Sequence, residues 1–318
     1  MRVAIVGTGY IAGRHADALT AMDGIEVVGF VDVVPKAAAQ AAAKWGGKAY
    51  DSIDTLLDEG APQAVWICVP PFAHGEVELA CIRRGVALYI EKPIGTDTAG
   101  PQAVAEAIAQ TGALVNVGYY WRCIEVMPRL KTLLAETPPR LVRAAWHGLT
   151  PPAPWWGVQS RSGGQMVEQA THLADTMRWL LGEADVRYAT ASHTTRPEFP
   201  DLDVATVTAA ALDFSGIPAL VSATCVLGNT TDANIEFYCD GRKITLSRTE
   251  LTIETLDGKA TEELGGDPLV LADRAFIEAV QTGDAGILPC SYADAMRTQQ
   301  LCVDIQSQAV EAGTAGAV

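Results

Sequence analysis

The chain has 318 residues, more than one hydrophobic core usually serves, and 49% of them are hydrophobic, so two well-filled domains are expected. Lys and Arg number 23 against 38 Asp and Glu, a formal charge of −15 that disfavours nucleic acid as a partner. No window approaches the roughly 18 to 20 uncharged apolar residues needed to span a bilayer. The first residues run straight into a glycine turn rather than a signal peptide, and the 7 cysteines lie mostly inside apolar runs with no C-x-x-C pair, which together suggest a reduced, cytoplasmic protein.

Val3 to Val6 reads as a short buried strand, followed directly by Gly7-Thr8-Gly9-Tyr10-Ile11-Ala12 and a helix to about Ala21. This is G-x-G-x-x-A in strand–turn–helix context. Gly7 permits the tight turn, Gly9 lets a pyrophosphate approach the backbone, and Ala12 keeps helix and strand close. The helix N-terminus then faces the phosphates, making Gly7, Gly9, Tyr10, Ile11 and Ala12 the candidate cofactor cradle. An ordinary glycine-rich turn is the competing reading. A second strand, Glu26 to Val31, ends at Asp32, at a distance from Gly7 that suits the ribose-binding acid of a dinucleotide site. Asp32 would accept hydrogen bonds from the ribose hydroxyls and repel a 2′-phosphate, which favours NAD over NADP, while Lys36 keeps NADP open. Alternatively, Asp32 caps the helix that follows Pro35.

The alternation continues with strand 48–50, helix 52–59, strand Ala64 to Val69, helix 74–84, strand 86–90, helix 99–110 and strand 113–118, the mark of a doubly wound parallel sheet. Val69-Pro70-Pro71-Phe72-Ala73-His74 lies at one carboxyl end, where Pro70 could wall a nicotinamide. The run Gly85 to Ile90 ends in Glu91-Lys92-Pro93, presenting Lys92 at another such end, where ligands of open parallel sheets bind. A solvated charged turn would look the same. Asn116-Val117-Gly118-Tyr119-Tyr120-Trp121-Arg122 brings aromatics and a guanidinium to the same rim or to a domain junction.

Beyond Arg122 the composition becomes β-rich: a helix over 124–135, then strands near 140–148, 184–194, 203–213, 217–227, 233–239 and 242–247. An α+β domain is expected, with a large, mainly antiparallel sheet covered by helices on one face and open on the other, giving domains 1–121 and 122–318. Between the strands, Gly163 and Gly164 open a helix that Gly182 closes. Val167, Ala170, Ala174, Met177 and Leu181 form its apolar stripe, and Glu168, His172 and Asp175 fall on the opposite side. A solvent-exposed polar face is the ordinary account of such a pattern. A metal site lacks an evident third ligand.

The ordered set of G-x-G-x-x-A, E-K-P, G-Y-x-x-R and G-G-x(3)-E-x(3)-H-x(2)-D, with the closing Pro289-Cys290-Ser291-Tyr292-Ala293-Asp294-Ala295, resembles the Gfo/Idh/MocA family of NAD(P)-dependent oxidoreductases. The resemblance implies hydride exchange between nicotinamide and a secondary carbinol of a sugar or cyclic polyol. In it Lys92 and His172 are the catalytic pair, Glu168 binds hydroxyls and orients the lysine, and Asp175 hydrogen-bonds the histidine or a hydroxyl. Glu91 supports the turn beside the cofactor. Trp155 and Arg122 are candidate substrate contacts. Two other readings stay open at this point: a non-catalytic dinucleotide sensor, and NAD-dependent glycoside cleavage without net redox change. The apolar alternation of the large sheet makes a homodimer or homotetramer the expected assembly.

Overall fold

The computed structural model describes residues 1–312. By internal packing the chain divides into two units, Met1–Cys123 with Asp267–Met296, and Ile124–Gly266 with Arg297–Val318. The first crossing lies two residues past the expected boundary of 121/122. The larger departure is Asp267–Met296, expected in the second domain but part of the first.

In the first unit six strands, β1 (Arg2–Val6), β2 (Glu26–Val31), β3 (Lys48–Tyr50), β4 (Ala64–Ile67), β5 (Ala87–Ile90) and β6 (Val115–Val117), form one sheet in the order β3-β2-β1-β4-β5-β6. All neighbours are parallel. Parallel strands need crossovers, and helices on both faces bury both sides of the central strands, which is why β4 and β5 are short uninterrupted apolar runs while the edge strand β3 is partly exposed. The order reverses between β1 and β4, so the loops after these two strands leave from the switch point where doubly wound sheets bind ligands.

Helix Pro268–Thr282 explains why the returning segment belongs here. Asp267 caps it by accepting from the Leu269 N–H at 3.0 Å, and Pro268 occupies its first turn. Its buried Ala272, Phe276 and Ile277 join a core with Val3, Ile5, Trp66 and Tyr89. Phe276 meets Trp66 edge-on at 5.1 Å between ring centroids.

The second unit is built on nine strands: β7 (Pro139–His147), β8 (Asp185–Ser192), β9 (Val207–Phe214), β10 (Ile217–Thr224), β11 (Asp232–Cys239), β12 (Arg242–Ser247), β13 (Glu250–Thr255), β14 (Gly258–Glu263) and β15 (Val310–Glu311). Their order is β14-β13-β12-β11-β7-β10-β9-β8-β15. The β7–β10 and β8–β15 pairs are parallel and the others antiparallel. Strands β13 and β14, the short β15 and helix Pro268–Thr282 were not among the expected elements; β14 is exposed along its whole length and carries no alternation to read. Helix Thr171–Leu181 packs against β7 and β11 on the covered face, where Ile235, Phe237, Ile244 and Leu246 alternate with more exposed neighbours. The opposite face holds a shallow cavity of about 350 Å³ lined by small and polar side chains, among them Ala145, Ala209, Ala211, Ser222 and Asn234. No helix among the described residues is long and apolar enough to cross a membrane.

Candidate active site

The glycine turn at the carboxyl end of β1 is shaped by two different constraints. Gly7 has φ +83°, and a Cβ there would stand 2.3 Å from the Cys68 carbonyl oxygen, so the fold itself requires glycine. Gly9 is the N-cap of helix Tyr10–Thr20 at φ −71°, and beyond its chain neighbours and the local helix backbone no atom lies within 4 Å of where its Cβ would be. Nothing in the protein demands glycine at this second position. An approaching ligand would. Tyr10 is 84% exposed, Ile11 is half-buried, and Ala12 is buried against the sheet.

Asp32 closes this turn. Its Oδ2 accepts from the Thr8 N–H at 2.8 Å and the Thr8 hydroxyl at 2.7 Å, and its Oδ1 accepts from the Val34 N–H at 2.8 Å. The N-cap of the next helix is Val34, so Asp32 is not the helix cap considered above. A carboxylate offers about four acceptor positions, and these bonds leave capacity for a ribose hydroxyl. Thr8, which the sequence reading passed over as an unspecified position of the motif, is therefore a structural partner of Asp32. Pro70 follows β4 and precedes a single 3-10 turn, Pro71–Ala73.

At the end of β5 the Glu91 N–H donates to the Ile67 carbonyl at 2.9 Å, and Lys92, next in the chain, leaves the ladder half-buried. The Glu91 carboxylate is 3% exposed and points inward to His15, its Oε1 lying 3.0 Å from Nε2. On the other side of the ring, Nδ1 lies 2.8 Å from Asp273 Oδ1 and 3.0 Å from Oδ2. Burial alone would lower the His15 pKa, but the charge and hydrogen bond of Asp273, then those of Glu91, outweigh it and raise it to about 9. Burial also pushes the Asp273 carboxyl up, against the pull of His15. Glu91 is thus the anchor of the turn, with its carboxylate held in the interior. Arg122 is likewise engaged within this unit: its Nη1 donates to Asp294 Oδ2 at 2.5 Å and to the Pro289 carbonyl at 3.3 Å, tying down the 289–294 segment.

In the second unit the expected single helix is two. Gln165–Glu168 forms one turn, Gln169 and Ala170 interrupt it, and Thr171–Leu181 continues. The polar face is not exposed: His172 is 3% and Asp175 0% exposed, and every residue from Thr171 to Arg178 is buried. The ordinary account of a solvated face fails because the sheet takes one side of the helix while Thr298, from helix Tyr292–Gln308, engages the polar side. The Thr298 hydroxyl donates to Asp175 Oδ1 at 2.8 Å and accepts from Arg178 Nε at 3.1 Å. The His172 ring lies over Trp146 of β7, with centroids 6.4 Å apart and planes at 22°. Glu168 Oε2 accepts from the indole N–H of Trp156 at 2.7 Å. Of the two tryptophans in the preceding loop, Trp156 is fully buried with Val204 and Cys225, and Trp155 is half-buried beside them. Among the described residues, no group of three or more His, Cys, Asp and Glu side chains is arranged to hold a metal ion.

Residues 1–119 match the model of the Gfo/Idh/MocA oxidoreductase family with an NAD-binding Rossmann fold, and residues 138–245 match a Gfo/Idh/MocA C-terminal domain. The chain belongs to the Gfo/Idh/MocA family. The matched regions include Lys92 in one unit and His172 in the other. Over 120 residues, 37% of this chain and 38% of the relative, it is 32% identical to the 4-carboxy-2-hydroxymuconate-6-semialdehyde dehydrogenase of a Sphingobium species. Over 189 residues, 58% of this chain and 56% of the relative, it is 29% identical to an inositol 2-dehydrogenase of Rhizobium meliloti. Among solved structures, the 3-ketoreductase KijD10 of Actinomadura kijaniata, in complex with NADP and TDP-benzene, is similar in fold, with a TM-score of 0.85 at 21% identity over 98% of each chain.

A nicotinamide dinucleotide fits the residues of this Gfo/Idh/MocA chain on the observation made at Gly9, where the missing Cβ leaves open space for a ligand at a helix N-terminus beside an acid that closes the turn. Besides Thr8, the residues that sequence reasoning missed are His15, Asp273, Trp146 and Thr298; Trp156 was expected in a loop over the pocket and instead lies buried, bonded to Glu168. One of them had a signal: His15 follows Ala12 by three positions and precedes Leu19 by four on the same apolar stripe, where a histidine is out of place unless partnered. The others are brought into contact by strand pairing and by helices distant in sequence.

Proposed function

We propose that the chain is a cytoplasmic NAD-dependent dehydrogenase of a cyclic polyol or sugar, acting at one secondary carbinol. The observation that carries this reading is the burial of His172 and Asp175 on a helix whose polar side faces protein rather than water, with the half-buried Glu168 on the single turn before it. Desolvating such groups is costly unless they are hydrogen-bonded or paired, and buried clusters of this kind concentrate at functional sites. The bound dinucleotide supplies the two-electron acceptor. The protein's part is to hold the substrate oxygen and move its proton. Lys92, cationic, donates a hydrogen bond to that oxygen and stabilises the charge that develops on it. His172 takes the hydroxyl proton, a task suited to an imidazole near neutral pH. Its stacking on Trp146 restricts the ring's orientation.

Glu168, steadied by Trp156, and Asp175, steadied by Thr298, accept hydrogen bonds from neighbouring hydroxyls and read their stereochemistry. Trp155 offers an apolar face to the ring. Arg122, whose Nη1 is held by Asp294 and the Pro289 carbonyl, stays a candidate substrate contact through its remaining N–H donors. The Asp32 carboxylate repels a 2′-phosphate, so NAD is the preferred cofactor. A second copy of the chain covers the open face of the nine-stranded sheet.

The test is the near-ultraviolet absorbance of NADH while protein and NAD meet a panel of inositols and aldoses, repeated with NADP. We expect turnover of one hydroxyl pattern, stronger with NAD, falling by about 10²-fold or more in Lys92→Ala. A Lys92→Ala protein with undiminished turnover would remove the mechanism.

A further inference from the structure

We propose that His15, clasped between Asp273 and Glu91, is a positioning residue that sets the Glu91-Lys92 turn from inside the first unit. The inference rests on Lys92 being the catalytic cation, but its geometry stands without a substrate. Three separate elements meet at the ring: His15 from helix Tyr10–Thr20, Glu91 from the end of β5, and Asp273 from helix Pro268–Thr282. The His15 and Asp273 side chains are 0% exposed. Each ring nitrogen faces a carboxylate oxygen within 3.0 Å. A neutral imidazole carries one N–H and would aim a lone pair at one of the acids, so the cluster holds an extra proton.

An ionic cluster of this kind is a poor way to stabilise a core, because well-packed apolar side chains do as well or better. What it supplies instead is direction. Asp273 is itself fixed by the Trp66 indole N–H at 2.9 Å, and the His15 ring rests edge-on against Tyr89 with centroids 4.9 Å apart. The remaining titratable neighbours are Tyr89, Cys68 and Cys123, and burial raises all of them, Cys123 to about 12, so none takes up or releases a proton near neutrality.

Gly118 bounds the space that the Glu91 carboxylate occupies. A Cβ on Gly118 would stand 2.6 Å from Glu91 Oε1, so glycine there makes room for the carboxylate. The Gly118 N–H also donates to the Ile90 carbonyl at 2.8 Å, fixing the backbone immediately before Glu91. Lys92 is the first residue beyond this clamp. Its backbone starts from a point whose position is set by His15 and Gly118 together.

The experiment is competitive labelling of the full chain with acetic anhydride between pH 7 and 10.5, with the Lys92 rate read by peptide mass spectrometry against exposed Lys36 and Lys48. Wild type is compared with His15→Leu and with Gly118→Ala, which changes none of the three cluster residues chemically but displaces the Glu91 side chain from its place beside His15. Calorimetric NAD binding checks that each variant is folded. We expect the Lys92 rate to change by about tenfold in both variants, the effect of moving its pKa by one unit, with the reference lysines unchanged. A Lys92 rate within about twofold of wild type in Gly118→Ala, or in a folded His15→Leu, overturns the proposal. Should His15→Leu not fold, Gly118→Ala decides alone. If labelling shifts as expected but no polyol is oxidised by wild type, the dehydrogenase reading falls and the positioning role of His15 stands.

Discussion

At the scale of single residues, the two acids of the first unit are used differently from what a motif suggests. Asp32 spends most of its hydrogen-bonding capacity on Thr8 and Val34, so it organises the turn before any ribose arrives. Glu91 faces the interior and meets His15. The His15 pKa is raised from 6.5 to about 9, so its protonated form favours the fold. That contribution is fully present below pH 6.5 and is lost as pH rises through about 9; at most it is on the order of 3 kcal/mol. A His15→Gln variant should therefore melt well below wild type at pH 6, and the gap in Tm should narrow by pH 9.5. A gap independent of pH across that range would show that the ring is not charged in the native state.

At the scale of elements, the segment carrying Glu168, His172 and Asp175 shows how backbone breaks place the residues of the proposed site. Gly163 and Gly164 both have positive φ, and the pause at Gln169 and Ala170 separates Glu168 from the helix that carries His172. Trp156, not its neighbour Trp155, reaches Glu168 from the preceding loop. Trp156→Phe keeps a ring in the cluster with Val204 and Cys225 but removes a donor to a carboxylate, a loss of about 1.5 to 3 kcal/mol. The expected outcome is a lower Tm and a higher KM for the polyol, with NAD affinity unchanged because the glycine turn belongs to the other unit. Unaltered KM in this variant would count against Glu168 as a substrate contact.

At the scale of the whole molecule, the open face of the nine-stranded sheet is the feature that a monomer leaves unexplained. Tyr188 is 57% and Leu220 51% exposed there, among alanines small enough for another sheet to approach closely. Arg143 and Glu236 on the same face pair with each other at 3.3 Å, so burying them leaves no unpaired charge between them. Light scattering should give an even multiple of the chain mass, and Leu220→Glu should shift it toward the single chain. A monomeric wild type would remove the proposed pairing.

The sequence by itself determined the elements whose residues are close together in the chain. Apolar runs alternating with helices define the parallel sheet because its central strands are buried on both faces, and the G-x-G-x-x-A turn declares itself because its constraints are local backbone ones. The positions of Lys92 and His172 on a strand end and a helix were readable for the same reason. Tertiary structure decided what periodicity cannot express. Helix Pro268–Thr282 carries start signals at Asp267 and Pro268, yet only packing against Trp66 and Tyr89 assigns it to the first unit. The polar face around His172 has the pattern of a solvated surface yet is buried, His172 against Trp146 and Asp175 against Thr298, 123 residues further on. His15, Glu91 and Asp273 meet across 258 positions of sequence. Charges so far apart in the chain have no shared local signal, since what joins them is the cost of burying each one alone.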